Sequence, residues 1–213
     1  MRDRFSPGFF DFLEPFTPEE VEQHAGSILG LWPDLRLAYF NPASLQFARD
    51  NGGDPSVILE KFLGTSVLEL VPDVMKPFHR QLLLSCIHQS WKTRKPVQHR
   101  YECSSPDLFR EYVMTLYRLR KGRGLLVVHS LVRENPHDPA RRPPEQPGDR
   151  YVDASGFIHQ CAHCRRVRNL GQESRWDWVP GWVERPAPRT SHTFCPLCVS
   201  YYYAETDDDD DLR

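Results

Sequence analysis

The sequence has no long apolar run. Its most apolar stretch, 124–132, includes His129 and Ser130 and falls well short of the ~20 residues that cross a bilayer. Residues 1–16 alternate charge, proline and phenylalanine, so they offer no uninterrupted core for a signal peptide. A cytoplasmic location without membrane contact is the expectation. A large charge excess is also missing: the net charge is −2 over 213 residues, which provides no general attraction to nucleic acid or anionic lipid. There is no glycine-rich phosphate loop, no kinase-type histidine with nucleotide motifs, no cyclase or phosphodiesterase signature and no helix-turn-helix pattern. The expectation is therefore a protein that is not an enzyme and carries input without output. Cysteine is sparse outside two C-x-x-C pairs, since only Cys86 and Cys103 stand alone. A disulfide framework is thereby disfavoured and metal ligation favoured.

With 39% hydrophobic and 26% charged residues, the chain can build one sizeable core plus a small appendage. Thr17-Pro18-Glu19-Glu20 reads as a helix start, with Thr17 and Glu20 forming a capping box, Pro18 at the first helical position and Phe16 placed to staple onto Val21. Residues 1–26 are taken as an N-terminal helical cap. Two short apolar runs separated by Pro33-Asp34 predict a hairpin, and Asn41-Pro42 predicts a capped helix ending at Gly52-Gly53. Apolar residues at Val71, Met75, Phe78, Leu82 and Cys86 recur at helical spacing, and Pro72 and Pro77 place the start of the main helix near Lys76. Val97 to Cys103 alternates as a half-buried strand, and a second strand runs from about Phe109 to Leu119. A third, Leu125 to Val132, is apolar on both faces. Its outer face needs a cover, either the N-terminal helix or a second copy of the chain. Five prolines among polar residues mark 134–149 as a linker. A second unit, 150–204, opens with a turn at Asp153-Ala-Ser-Gly156, and the acidic 205–213 reads as a solvated, disordered tail.

Cys161/Cys164 and Cys195/Cys198 have the spacing of paired zinc knuckles, each tight turn presenting two sulfurs to one metal. The expected cofactor is one structural Zn²⁺ held by these four residues. Four thiolates around a divalent ion leave a charge of −2, which Arg165, Arg166 and Arg168 could offset. His192, three residues before Cys195, could substitute as a ligand, yet four cysteines already complete a closed tetrahedron with no position for an activated water. A thiol oxidoreductase would need a strand-to-helix context for a single pair. Cys86 and Cys103 fit small buried hydrophobes better than reactive thiols.

Leu37-Ala-Tyr-Phe-Asn41-Pro-Ala43, Leu63-Gly-Thr-Ser66 and the closing strands Tyr112–Leu119 and Leu125–Leu131 together resemble a PAS domain across 27–133. The resemblance implies an α+β fold: a five-stranded antiparallel sheet with helices cupped over one face, enclosing a core or a ligand pocket. PAS domains sense ligands, light or redox state or mediate dimerisation, so the fold does not choose a function. Asn41 is followed by Pro42-Ala43-Ser44, which lacks the reactive cysteine of a flavin photosensor of the LOV type. A haem sensor needs one histidine aimed into the pocket. His79 and His99 are the pocket candidates, on the apolar side of their helix and strand, against the blander reading of hydrogen-bonded core residues; His88 lies on the same helix as His79, and His129 lies in the Leu125–Val132 strand.

Cys161-x-x-Cys164, Val167-Arg168, Trp176, Val179, Ser191-His192-x-x-Cys195-Pro196-x-Cys198 and Tyr201–Tyr203 resemble the cysteine-rich tail at the end of some bacterial PAS sensors and response-regulator-like proteins. That family usually follows the middle Trp with Glu and Tyr, where this chain has Pro180 and Trp182. The two resemblances imply a bacterial signal-transduction sensor or adaptor. Its PAS domain would sense a ligand or dimerise through its sheet, and its zinc-stapled tail would dock on a signalling protein; half or more of Trp176, Trp178, Trp182 and Tyr201–Tyr203 are expected in the mini-core around the zinc site, with the exposed remainder favouring a protein interface. The alternative is a zinc-dependent nucleic-acid-binding regulator using Arg165, Arg166, Arg168 and the tryptophans, which ranks lower because the local positive excess is small.

Overall fold

The structure is a computed structural model, and it describes residues 4–50, 62–70, 76–172, 174–183 and 185–202. The expected helix stop at Gly52-Gly53 and the acidic tail lie outside these residues, as do the side chains of His79, Tyr201 and Tyr202. The chain forms two units. One comprises 1–99 and 112–132, the other 100–111 and 133–213.

The first unit begins with helix α1 (Pro18–Gln23), started as the capping pattern dictates. The Thr17 hydroxyl accepts from the Glu20 amide at 3.2 Å, and the Glu20 carboxylate accepts from the Thr17 amide at 2.7 Å. Strands β1 (Ser27–Leu31) and β2 (Leu37–Phe40) form the hairpin. Leu35 turns it at φ 66°, a left-handed conformation that few non-glycine residues adopt. Asn41 then ties three pieces of chain together. Its side-chain oxygen accepts from the amides of Ser44 and Ile28, both at 2.9 Å, and its nitrogen donates to the carbonyls of His24 and Gly26. Fully buried and saturated, it starts α2 (Pro42–Asp50) and anchors β1 at once.

Helix α3 (Lys76–Thr93) starts where the prolines predict. The strands β3 (Val97–Glu102), β4 (Leu108–Arg118) and β5 (Leu125–Pro136) complete a five-stranded antiparallel sheet of order β2-β1-β5-β4-β3. This is the α+β architecture that the resemblance implies. Leu125 to Val128 of β5 are all buried, as expected of a strand covered on both faces, but the expected cover over Leu125–Val132 stops there, since Leu131 and Val132 are 49% and 50% exposed. The cover on the Leu126/Val128 side is the chain's own N-terminal segment: Phe9, Leu13 and Val21 share a core cluster with Ile28, Tyr39, Leu119, Leu126 and Val128. Gly30 makes this fit possible, because a Cβ there would run into the Phe9 ring. Arg4 and the Tyr39 hydroxyl meet on the Glu22 carboxylate, which fastens the same segment at its polar end. Among the described residues no helix is long and apolar enough to cross a membrane.

The second unit contains a four-stranded sheet of order β8-β7-β6-β9, from β6 (Ile158–Cys161), β7 (Val167–Arg168), β8 (Trp176–Asp177) and β9 (Thr190–Thr193), followed by α4 (Pro196–Tyr202). Its entry turn forms as the sequence suggests: Asp153 accepts from the Ser155 and Phe157 amides, and Gly156 takes the left-handed conformation. The apolar cluster is small, consisting of Tyr151, Ile158, Val167 and Val179 with Trp182 and Ala187 packed against it. Polar groups fill the gap. Asp177 accepts from the Tyr151 hydroxyl at 3.0 Å, Asn169 at 2.7 Å and Arg175 at 2.6 Å. Burial opposes its charge, yet these three donors hold its pKa below the usual carboxylate value.

Candidate metal centre

The four cysteines reach one point because two strands run side by side. β6 ends at Cys161, and the following turn places Cys164 next to it. That turn is closed by the Cys161 amide on the Arg166 carbonyl (2.7 Å) and the Arg165 amide on the Cys161 carbonyl (3.0 Å), with Arg165 left-handed at φ 60°. β9 lies parallel to β6, pairing Thr193 with Cys161, so Cys195 arrives two residues later beside the first pair. Pro196 starts α4, and the first turn brings Cys198 in.

All four sulfur atoms lie within 4.8 Å of one another, and all four residues are buried. The Cys164 and Cys195 sulfurs are 3.7 Å apart. A disulfide requires about 2.05 Å, whereas a thiolate tetrahedron with metal–sulfur bonds near 2.3 Å spaces its corners about 3.8 Å apart. The donor set therefore fits a tetrahedral metal ion. Two backbone amides also point at sulfur, Cys195 N–H at Cys161 Sγ and Cys198 N–H at Cys195 Sγ, both at 3.4 Å; such donors stabilise thiolate. Four sulfurs this close compete for protons when no cation shares them. Hydrogen bonding led by Cys164 holds Cys161 far below the ordinary thiol value, and the same interaction with Cys161 pushes Cys164 far above it. A divalent cation removes that conflict by allowing all four to be thiolates. Among the described residues this is the one cluster of three or more such ligands, and His192 is not part of it. Half-buried on β9, His192 has its pKa lowered by burial and then by Arg165.

One cation that feels the charge of this centre was not legible in the sequence. Arg142, within the stretch read as a linker, is 8% exposed and pairs with the equally buried Glu102 through two bonds of 2.7 and 3.1 Å. Ser104 donates to the same carboxylate, and the guanidinium lies over the Trp178 ring at 4.7 Å and the Phe109 ring at 5.7 Å. Burial is the largest single influence and disfavours the Arg142 charge; the Glu102 hydrogen bond, the Glu102 charge and the sulfurs of Cys164 and Cys198 together outweigh it and hold the pKa above the ordinary value. Glu145 N–H on the Trp178 carbonyl and Arg110 on Glu134 further join 100–111 and 133–145 inside this unit. An ion pair across forty positions leaves no periodicity to read, and Arg142 between Arg141 and Pro143-Pro144 reads as linker. Of the arginines expected to balance the sulfurs, Arg168 is exposed and Arg165 and Arg166 are half-buried. The charge of Arg165 is felt at Cys103 as well as at His192.

The three tryptophans contribute to the interior of the unit. Trp178 is 2% exposed, and Trp176 and Trp182 are half-buried. The exposed apolar residues of this unit are others, among them Leu197 and Val199 on α4. Of the pocket candidates, His99 is half-buried on β3, while His79 lies on α3 with its side chain outside the described residues. Cys86 is buried, as expected of a small core hydrophobe, while Cys103 is half-buried; burial pushes the Cys86 thiol up to about 11 and raises that of Cys103.

No protein-family model matches the chain, and no curated protein matches it. Among solved structures it is similar to a domain of an HTR-like protein from Haloarcula marismortui, at 13% identity and a TM-score of 0.36 over 52% of this chain and 100% of that one. It is also similar to a PAS domain from a two-component sensor histidine kinase, at 14% identity and a TM-score of 0.33 over 55% of this chain and 91% of that one. The strand order and antiparallel register establish the architecture without these likenesses.

Proposed function

We propose that the protein is a non-enzymatic signal-transduction component whose five-stranded unit receives an input as PAS domains do and whose four-cysteine unit, closed around one structural zinc ion, docks on a signalling partner. The observation that carries this reading is the closed donor set: Cys161, Cys164, Cys195 and Cys198 converge, buried, at tetrahedral spacing. Zn²⁺ suits four thiolates, having no redox chemistry and a tetrahedral preference in such sites. A site filled by protein sulfur has no position for substrate or activated water, so the metal contributes folding energy and rigidity. Support for the sensory half comes from the β2-β1-β5-β4-β3 sheet together with the sequence resemblance across 27–133. Arg142 adds a positive charge near the sulfurs and pins residues 100–111 to this unit through Glu102, giving the module a firm base.

The test is elemental analysis with an absorption spectrum on the purified full chain. The expected result is one zinc per chain, retained on dilution into buffer and released by denaturant. Zinc-free protein with four titratable thiols, or iron–sulfur absorption, contradicts the reading. A Soret band would instead reassign the pocket to haem and make His99 and His79 the residues to mutate.

A further inference from the structure

The sequence has little net charge, yet one end of the five-stranded unit is strongly basic. The turn after α3 presents Arg94 and Lys95, and the turn between β4 and β5 presents Arg118, Arg120 and Lys121. These five cations line one open cleft of about 780 Å³ against a single carboxylate, Glu14. Among the described residues only Arg120 of the five has an ion pair, with Glu14 at 2.9 Å. Exposed like charges repel one another, and folding gains nothing from gathering them.

A second cleft, of about 320 Å³, adjoins the first. It is lined by Pro33, Leu84, Ile87, Trp91 and Leu125 among others. Leu84 and Trp91 are 44% and 49% exposed, unusually open for large apolar residues on a helix that buries Leu83, Cys86 and Ile87. The two clefts join through consecutive residues, Ser90 in the first with Trp91 in the second and Lys121 in the first with Gly122 in the second. Arg118 spans the seam, its guanidinium 5.8 Å from the Trp91 ring centre.

We infer that this surface is a docking site for an acidic segment of a partner protein, which sets one bulky apolar side chain between Leu84, Ile87 and Trp91 and lays its carboxylates along Arg94, Lys95, Arg118 and Lys121. Charge complementarity defines the acidic character, and the apolar cleft defines the anchor. Single-stranded nucleic acid fits less well, since base stacking needs an open aromatic face and Arg118 already lies over Trp91. An anionic bilayer takes up protruding apolar side chains, whereas here the apolar residues line a hollow. The inference concerns the five-stranded unit alone and is independent of the metal.

The test uses fluorescence anisotropy on the full chain with short fluorescein-labelled peptides of Asp and Glu carrying a central Leu or a central Ser. The Leu peptide should bind more tightly than the Ser peptide. Arg118→Glu with Lys121→Glu should weaken the Leu peptide about tenfold or more. Leu84→Asp should weaken it too, and should leave little difference between the two peptides. Lys95→Glu with Lys121→Glu, both at exposed positions, repeats the charge test should the first variant fail to fold. Undetectable binding at low salt, binding unchanged in the folded variants, or tighter binding of oligouridylate or phosphatidylserine vesicles than of the Leu peptide would overturn the inference.

Discussion

In the five-stranded unit, Phe9, Leu13, Ile28, Tyr39, Leu119 and Leu126 bury rings and branched chains against one another. Among the described residues of the four-cysteine unit, one apolar cluster joins Tyr151, Ile158, Val167 and Val179; Trp178, Val183 and Phe194 are also buried, and the unit buries the polar Gln160, Asn169, Asp177, Arg142 and Glu102 as well. The first can fold on area removed from water alone. The second buries polar groups whose hydrogen bonds specify geometry but return little net energy, so it needs a further source of stability. A metal ion held by the four converging sulfurs would provide one. The difference teaches that what looks like one protein answers to two sets of perturbations.

The largest separation should come from the metal ligands. Cys164→Ser removes one of four thiolates, and with structural zinc worth about 10 to 16 kcal/mol in small modules, the second unit should unfold while the first keeps its melting transition. Calorimetry and limited proteolysis read both at once. Next comes Arg142→Ala, which leaves the buried Glu102 carboxylate without its cation and should cost about 3 to 5 kcal/mol in the second unit only. Pairing it with Glu102→Gln should recover part of that loss, visible as a partial return of the thermal midpoint.

Acid weakens the second unit through Asp177 and the thiolates, and it should reach the first unit by a separate route. Burial pushes the pKa of His129, on β5 opposite Ser27, from 6.5 down to about 4. The folded state holds a neutral imidazole where the unfolded chain takes up a proton, so stability is whole above about pH 6.5 and drains as pH falls toward 4, by up to about 3 kcal/mol. His129→Gln should flatten that slope in urea titrations at stepped pH. The smallest effect is expected from Thr17→Ala, which removes the α1 cap for about 1 kcal/mol and should loosen the covering segment without touching metal content.

Legibility followed the same division. Caps, turns and alternation are local, and the Thr17 box, the Asn41 helix start, the Lys76 helix start and the buried first half of β5 can be read in order from the residues that form them, whereas the exposure of Leu131 and Val132 cannot. The C-x-x-C pairs are legible because chemistry demands their spacing. The parallel pairing of β6 with β9, which brings Cys195 to Cys161, is not, since nothing in either short strand encodes its partner. Arg142 with Glu102 is the clearest case: composition marked 134–149 as a linker, and only tertiary folding reveals a carboxylate and two aromatic rings against that guanidinium. The N-terminal cover lay between. Its helix was legible, but the insertion of Phe9 over Gly30 depends on a glycine whose role appears only when the ring is in place.

Hydrogen-exchange mass spectrometry on the full chain, before and after a chelator strips the metal, tests most directly the claim that one ion holds the cysteine unit together. Removal should abolish amide protection at 151–202 and leave 4–50 and 112–132 as protected as before. Protection that persists at β6 and β9 in metal-free protein with reduced thiols would contradict it.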